Sequence, residues 1–530
     1  MAAEPTYPND VSVSVHGEAS KWLVTSSVML GTFLSVMDIS VVNVALPHMM
    51  GTFGEDLITI TWVSTAYSIA EIIMITMAAW WTTLLGRKRL FLLSMAIFTA
   101  GSILSASAHT FAQIVLYRVI QGIGGGSLIP CSQAIAREVF PPAEQAMAMA
   151  IFAMGVTLAP TFGLIAGGWL VDNYGWPAVF YINVPFAIAG IMLVTAFVQD
   201  PPYLKRGAEH IDWFGIMLLS IWIITMQIVL ERGEEVDWFS NNGIVISTLV
   251  AAVSFVTLII WELYSREPII NFRLFRNVEL STGSFLGTLV SFALFGSSFV
   301  LPQLTESVLN YPAYQAGLVV TPRAIAMILA MPVVGRLYNY VSPRMLVAAG
   351  LIGTYLGFSW LGHFSLYVGF WTFMVPLALI GAGMSFPMVT LSTVSLSSID
   401  RTQMTGASSL YTLSRRVGGN IAYAALATLI ARRTQYHRAR LMETVTSLAT
   451  PAYVQLSSGF KTQLVHHGFN AAATAGSSMA MMNQMINQHA TMLAYNDSNW
   501  LVGIAALAVM PLVFLLPRHG LPKTTTPEPE

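Results

Sequence analysis

Apolar segments long enough to cross a bilayer recur along the whole chain, separated by short polar or Pro/Gly turns, and no other feature restricts the fold as strongly. A helix rising about 1.5 Å per residue needs roughly 20 apolar residues to cross a hydrocarbon core of about 30 Å. Such segments lie near 22–46, 57–80, 90–108, 112–136, 146–171, 176–198, 211–231, 242–264, 281–306, 314–338, 343–361, 367–397, 404–431 and 499–517, fourteen in all. The composition agrees, with 55% hydrophobic and 10% charged residues, against about 25% charged in a soluble domain. The expectation is an all-α integral membrane protein.

Other function classes lose support on the same grounds. A formal net charge of −1, with 25 scattered Lys and Arg, offers no basic field for nucleic acid. The single cysteine, Cys131, excludes an internal disulfide framework and any CxxC metal or redox motif. There is no GxxxxGK[ST] phosphate loop for an ATP-driven pump. GIGGGS fails as a dinucleotide fingerprint, because the third glycine would fall at Ser127 and the run lies within a span. No convergent nucleophile, base or metal cluster suggests an enzyme, and no cofactor is expected.

Residues 1–20 read as a short polar tail before a retained first helix, and 518–530 as a second tail. With the N-terminus cytoplasmic, Arg87, Lys88 and Arg89, then Lys205 and Arg206, then Arg266, Arg273 and Arg276 fall inside, as the positive-inside rule requires. Both termini are then cytoplasmic. Arg432, Arg433, Arg438 and Arg440 dissent, but they open a loop of roughly 65 residues and the rule counts mainly short loops.

The chain also repeats itself. Gly124, Gly126 and Pro130 match Gly381, Gly383 and Pro387 at an offset of 257, Gln145 matches Gln403 at 258, and Pro47 matches Pro302 at 255. Spans one to six therefore pair with nine to fourteen, leaving two spans between them. The expected organisation is an N-terminal six-helix half over 21–199 and a linker with two extra helices over 200–277. A C-terminal half over 278–517 follows, with an external loop at 432–498. Two six-helix halves related by an axis along the membrane normal are the architecture of major facilitator transporters, whose substrate site lies between the halves. The glycines would let backbones pack closely, and Pro130 would permit a break in span four.

Specific strings then carry a resemblance. LSVMDISVVNVALP (34–47), YRVIQGIGGG (117–126), GVTLAPTFGLIAGGWL (155–170), DNYGWPAVFYINVP (172–185) and ERGEEVDWF (231–239) resemble the EmrB/QacA group of fourteen-helix drug:proton antiporters, and the run 455–500 is similar to its EmrB branch. The likeness covers about 20–517. It implies motif roles for Gln121, Gly122, Gly126 and Pro130 in helix four, and for Gly155, Pro160, Gly163, Gly167 and Gly168 in the antiporter motif. It also implies proton-driven efflux of lipophilic or amphipathic compounds, neutral or weakly acidic, across the inner membrane. A periplasmic adaptor and an outer-membrane channel are the implied partners, with 432–498 as docking surface. Two departures stand out: Thr83 replaces the usual acid before Gly86, Arg87 and Lys88, which questions the charge clasp of that motif, and Ala159 replaces glycine before Pro160.

Charges at bilayer depth cost roughly 2.5–3.5 kcal/mol each on insertion scales, so each one invites a function. Gly31, Ser35, Asp38, Val42 and Ala45 follow a 4-3-4-3 spacing that puts small or polar groups on one stripe of helix one, with Asp38 pointing into the bundle. Counted from the outer ends of their helices, Asp38 lies about 12 Å deep and Arg118 about 9 Å, so the two can meet. Asp38 is the candidate proton-binding carboxylate, with burial favouring its neutral form and Arg118 its charged form. A fixed structural ion pair is the alternative. Glu71 is a candidate second proton site or a structural polar contact, Arg415 is expected to face the bundle, and Arg323 and Arg416 have no assigned role. At the repeat offsets Asp38 corresponds to Ala293, Arg118 to Val375 and Gln121 to Ala378, which assigns proton handling to the N-terminal half.

For substrate, span nine offers Phe285, Phe292, Phe295 and Phe299, and span twelve offers Met374, Met384, Phe386 and Met388, an adaptable apolar set that would otherwise face lipid or core. Phe292, Phe295, Met384, Phe386 and Arg415 are the candidate cavity residues. His466, His467 and His489 in the external loop read as parts of amphipathic helices rather than metal ligands. The competing function is a dedicated exporter of one metabolite, such as a siderophore, fatty acid or aromatic acid.

Overall fold

The computed structural model describes residues 18–200, 211–265, 267–445, 451–466 and 471–517. The two tails beyond 18 and 517, Lys205 and Arg206, and Arg266 lie outside the described residues. The N-terminal part runs α1 (Glu18–Phe53), a single turn α2 (Leu57–Ile60), α3 (Trp62–Leu85), α4 (Arg87–Ala106), α5 (Phe111–Gly126), α6 (Leu128–Val139), α7 (Gln145–Tyr174), a turn α8 (Ala178–Tyr181) and α9 (Asn183–Phe197). Two helices follow, α10 (Trp213–Arg232) and α11 (Asn242–Tyr264). The C-terminal part runs α12 (Val278–Gln303), α13 (Ala313–Leu337), α14 (Pro343–Leu361), α15 (Met374–Ser395), α16 (Met404–Val445), α17 (Pro451–His466) and α18 (Ala471–Ala508). The end of the bundle that holds Gly86, between α3 and α4, is called proximal below, and the opposite end distal.

Among the described residues, thirteen helical segments are long and apolar enough to cross a membrane. The fourteenth expected span, 404–431, is the start of α16, which carries Arg415 and Arg416 and so lacks a purely apolar window. It packs against α12, α18 and α3, where those arginines find polar partners. Outward faces are greasy: Ile246, Leu249, Val253, Val256 and Ile260 of α11 are all exposed, as lipid contact requires.

Local breaks follow from residue chemistry. Span four is split at Ser127, because Pro130 has no N–H for the Gly126 carbonyl one turn back. Thr110 caps α5, its hydroxyl accepting from the Gln113 N–H. Gly86 turns the chain between α3 and α4 at a φ of 82°, where a side chain would be strained.

One core, with Leu34, Phe91, Phe98 and Phe180, lies within 24–198, and a second, with Leu301, Met331, Phe373 and Leu377, lies mainly within 293–502. Helix α10 packs against α3 of the first part and α16 of the second, and α11 packs on α10. The expected external loop is built differently from a loop with its own helix pair: α16 and α18 run on past the expected membrane boundaries, with α17 packed on α18. At 42 and 38 residues, α16 and α18 are about 63 and 57 Å long, twice a hydrocarbon core. The dissenting arginines sit on this extension, where Arg433 and His437 pair with Asp497 at 3.2 and 2.8 Å and Arg438 donates to Asn483 at 3.2 Å.

The glycines correct the repeat register. A Cβ on Gly122 would meet the Tyr67 carbonyl of α3, and one on Gly124 the Phe98 backbone of α4. In the second half Gly381 abuts the Arg323 carbonyl of α13, and Gly383 the Thr354 backbone of α14. Since α13 and α14 are the counterparts of α3 and α4, Gly122 pairs with Gly381 and Gly124 with Gly383, an offset of 259. At that offset Arg118 corresponds to Leu377 and Gln121 to Ile380, both fully buried, whereas the expected counterpart Val375 is 54% exposed. The loss of polar partners in the second half therefore stands, with different residues. Gly163 and Gly167 lie against the Met37 to Val41 stretch of α1, and Gly155 against Met29, but Gly168 faces open space. Gly124→Ala is expected to lose about 1–3 kcal/mol by overpacking while Gly168→Ala, within α7 and with open space for its methyl, gains about 0.4–1 kcal/mol, read as thermal midpoints of the detergent-solubilised protein.

Candidate functional site

The small and polar stripe of α1 is buried along its length, and Asp38 is fully sealed. Arg118 Nη1 donates to Asp38 Oδ2 at 2.5 Å, while Asp38 Oδ1 accepts from Gln121 Nε2 at 2.7 Å and Asn183 Nδ2 at 2.9 Å. Ser102 sits behind them, accepting from Asn183 at 3.0 Å and Gln121 at 3.3 Å and donating to the Phe180 carbonyl. Arg118 is fixed in turn by the Val63 carbonyl, by Gln121 Oε1 and by the face of Tyr67, 4.2 Å from the ring centroid. The helices that meet here are α1, α3, α4, α5, α8 and α9, all of the N-terminal half.

A second carboxylate lies one step away. Glu71 of α3, 1% exposed, accepts from Ser35 Oγ at 3.0 Å and from Arg416 Nη2 of α16 at 2.8 Å. Ser35 Oγ also lies 3.2 Å from Tyr67 Oη, and that phenol donates to the Ser35 carbonyl. A continuous polar chain thus runs from Asp38 through Arg118, Tyr67 and Ser35 to Glu71 and across to Arg416. It joins the sealed pair of one half to an ion pair between halves.

At the proximal end Arg87 forms the clasp that Thr83 had put in question, with other partners. Its guanidinium pairs with Glu138 and donates to the Arg401 carbonyl at 2.9 Å and Thr405 Oγ1 at 3.0 Å. Arg137 donates to the Thr393 carbonyl, Ser408 to Gln133, and Asn339 to the Ala143 carbonyl, so the two halves are laced together at this end. Lys88 binds within its own half, to Asp200 and the Thr195 carbonyl. Helix α10 adds a bridge near the distal end: Glu231 accepts from Thr65 of α3 and from Gln227, which accepts from Asn420 of α16.

The five candidate cavity residues divide. Met384 and Arg415 line a small, water-sized void between α12, α15 and α16. Phe386 packs on Gly350 of α14 instead, because its position on α15 faces the neighbouring helix rather than the pocket. Phe295 covers Gly419 and Tyr423, and Phe292 joins the C-terminal core. Phe299 lies outside the described side chains.

The Major Facilitator Superfamily model matches residues 28–423. Multidrug export protein EmrB of Escherichia coli (strain K12) is 32% identical over 500 residues, covering 94% of this chain and 96% of that protein. This chain is an EmrB-type transporter of the major facilitator superfamily. The transporter is also 28% identical over 507 residues to the fatty acid resistance protein FarB of Neisseria gonorrhoeae, covering 94% and 96%. Among solved structures, the proton:xylose symporter XylE matches with a TM-score of 0.57 at 14% identity, over 94% of this chain and 97% of that one, a likeness of fold.

Sequence reasoning found Asp38, Arg118 and Gln121 but missed Asn183, Ser102, Glu138 and the pairing of Arg416. Asn183 was visible as an amide in the apolar run following DNYGWP, since a buried amide in a span needs a polar partner.

Proposed function

We propose that the transporter exports lipophilic or amphipathic compounds across the inner membrane in exchange for protons, by alternating access. The observation that carries this reading is the sealed Asp38 cluster: a carboxylate wholly removed from water, held by one cation and two amides, in one half only. Such a carboxylate stays charged only while Arg118 compensates it, so taking up a proton frees Arg118 and disturbs Tyr67, Ser35 and the Glu71–Arg416 pair. Protonation in the N-terminal half is thereby felt at the contact between halves. The energy source is the proton gradient, and no cofactor enters.

With the proximal end taken as cytoplasmic, the Arg87 clasp closes the cytoplasmic side in this conformation, and both termini are cytoplasmic. The distal extension of α16, α17 and α18 then projects about 30 Å into the periplasm, a surface suited to an adaptor leading to an outer-membrane channel. The test is efflux from proteoliposomes of the purified transporter: an imposed pH gradient should drive dye efflux that a protonophore stops. Gradient-independent leakage of the same size sinks the antiport reading. The second reading, export of one metabolite, draws on the likeness to FarB, whose name specifies fatty acid resistance. Resistance confined to one compound class on expression would favour it.

A further inference from the structure

Helix α10 packs against α3 of one half and α16 of the other, and ERGEEVDWF (231–239) turns the chain from α10 into α11 at the distal end. Side chains of α10 and this turn reach both halves. On the α3 side, Thr65 Oγ1 donates to Glu231 Oε2 at 2.6 Å, and Arg232 lies 6.0 Å from the centroid of the Trp62 ring. On the α16 side, Asn420 Nδ2 donates to Gln227 Oε1 at 2.8 Å, and Trp238 Nε1 donates to Thr428 Oγ1 at 3.1 Å, shared with Glu234 Oε2 at 3.1 Å. Gln227 Nε2 donates to Glu231 Oε1 at 2.6 Å, so one relay of hydrogen bonds crosses from α16 to α3 through α10. The direct Glu71–Arg416 pair joins the same two helices about 9 Å nearer the proximal end, since six residues of α3 separate Thr65 from Glu71.

The two ends of the relay differ in strength. The α3 end involves a carboxylate and a guanidinium, and charge-assisted hydrogen bonds are about twice as strong as neutral ones. The α16 end is neutral, amide to amide and indole to hydroxyl. It is also strained. Asp237 and Trp238 are consecutive residues with side chains at φ of 55° and 51°, a left-handed backbone that persists only where the surroundings over-determine it. Here the Trp238 N–H donates to the Gly233 carbonyl at 2.6 Å, and the Trp238 ring lies where a Cβ on Gly233 would come within 2.6 Å of it. Alternating access rocks one half against the other about a fixed central site, so the distal parts of α3 and α16 shift relative to each other and the relay cannot keep both ends. The neutral, strained end is the one that lets go.

We infer that Gln227 and Trp238 are positioning residues for alternating access: α10 and its turn ride with the N-terminal half and strap α16 at the distal end, holding the clasp-closed conformation until the Asn420 and Thr428 bonds release. The strap rests on the alternating-access reading for its part in transport, but its effect on conformation needs neither substrate nor gradient.

The test is the distance between spin labels at His109→Cys and Tyr367→Cys, exposed positions at the distal ends of the two halves, over a pH series in the full-length transporter in nanodiscs. The buried Cys131 takes no label. Gln227→Leu and Trp238→Phe, the second keeping a ring over Gly233, are each expected to lower the ratio of long-distance, clasp-closed molecules to short-distance ones about 3- to 10-fold. Asp237→Gly relieves the left-handed strain of the strapped turn and should raise the same ratio about 2- to 5-fold, a sign that damage to the fold does not produce. A drop in at least one of the first two variants together with the rise in Asp237→Gly supports the strap. Unchanged ratios in both, or no rise in Asp237→Gly, overturn it. The expected shifts in a transporter that shows no gradient-driven efflux sink the antiport reading and leave the strap standing.

Discussion

Asp38→Asn is expected to abolish proton-driven efflux in proteoliposomes while energy-independent exchange of substrate across the same membrane persists. Asparagine approximates the neutral carboxyl in size and its oxygen still accepts from Gln121 and Asn183, so the site is held as if permanently protonated, with Arg118 released. Steps that require the proton to leave then stop, and steps that move only substrate continue. The change also leaves Arg118 buried without an anion, which costs about 3–5 kcal/mol when one partner of a sealed pair is removed. A thermal midpoint measured beside transport separates the two effects. An Asp38→Asn variant that keeps gradient-driven efflux would reduce the pair to a brace between α1 and α5. One that melts before assay is replaced by Asn183→Ala, which removes a donor and leaves both charges, and which should shift the pH profile of efflux.

How much of this could be read beforehand depended on whether the signal was local. The stripe through Ser35, Asp38 and Val42 and the depth count on two helices were sufficient to bring Asp38 to Arg118, since helix geometry converts residue number into position. Asn183 lies 145 residues from Asp38 in sequence, and no periodicity links an amide near the start of α9 to a carboxylate on α1. The Glu71–Arg416 pair spans 345 residues and exists only because the halves dock as they do. Arg416 consequently had no assigned role, although its neighbour Arg415 was expected to face inward. Phe386 was harder to place for a different reason: on α15 it lies two residues from Met384, far enough round the helix to face α14. The repeat register slipped by two because identical Gly-x-Gly spacings align in more than one way, and only the contacted helices tell which alignment is structural.

The cross-half pair makes the second large prediction. Glu71→Gln or Arg416→Gln is expected to shift the conformational balance toward the state with the proximal clasp open, by about 5- to 150-fold, the range of ordinary allosteric coupling. Each single change removes one charge of an inter-half contact while Arg87, Arg137 and Gln133 still lace the proximal end, so the bundle should open more readily without unfolding. The double variant should cost less than the sum of the singles, because both act on one interaction. Spin-label distances across the proximal and distal ends, taken as a function of pH, read this directly. In the wild type, acidification should favour the clasp-open state as Glu71 takes up its proton and lets Arg416 go; in Glu71→Gln that pH response should be largely lost. Combining Glu71→Gln with Asp38→Asn tests the polar chain between them through Arg118, Tyr67 and Ser35. Strictly additive effects there would mean that the two carboxylates titrate independently, and that the proton signal crosses to the C-terminal half by another route. Non-additivity above about 0.5 kcal/mol would place the coupling on that chain.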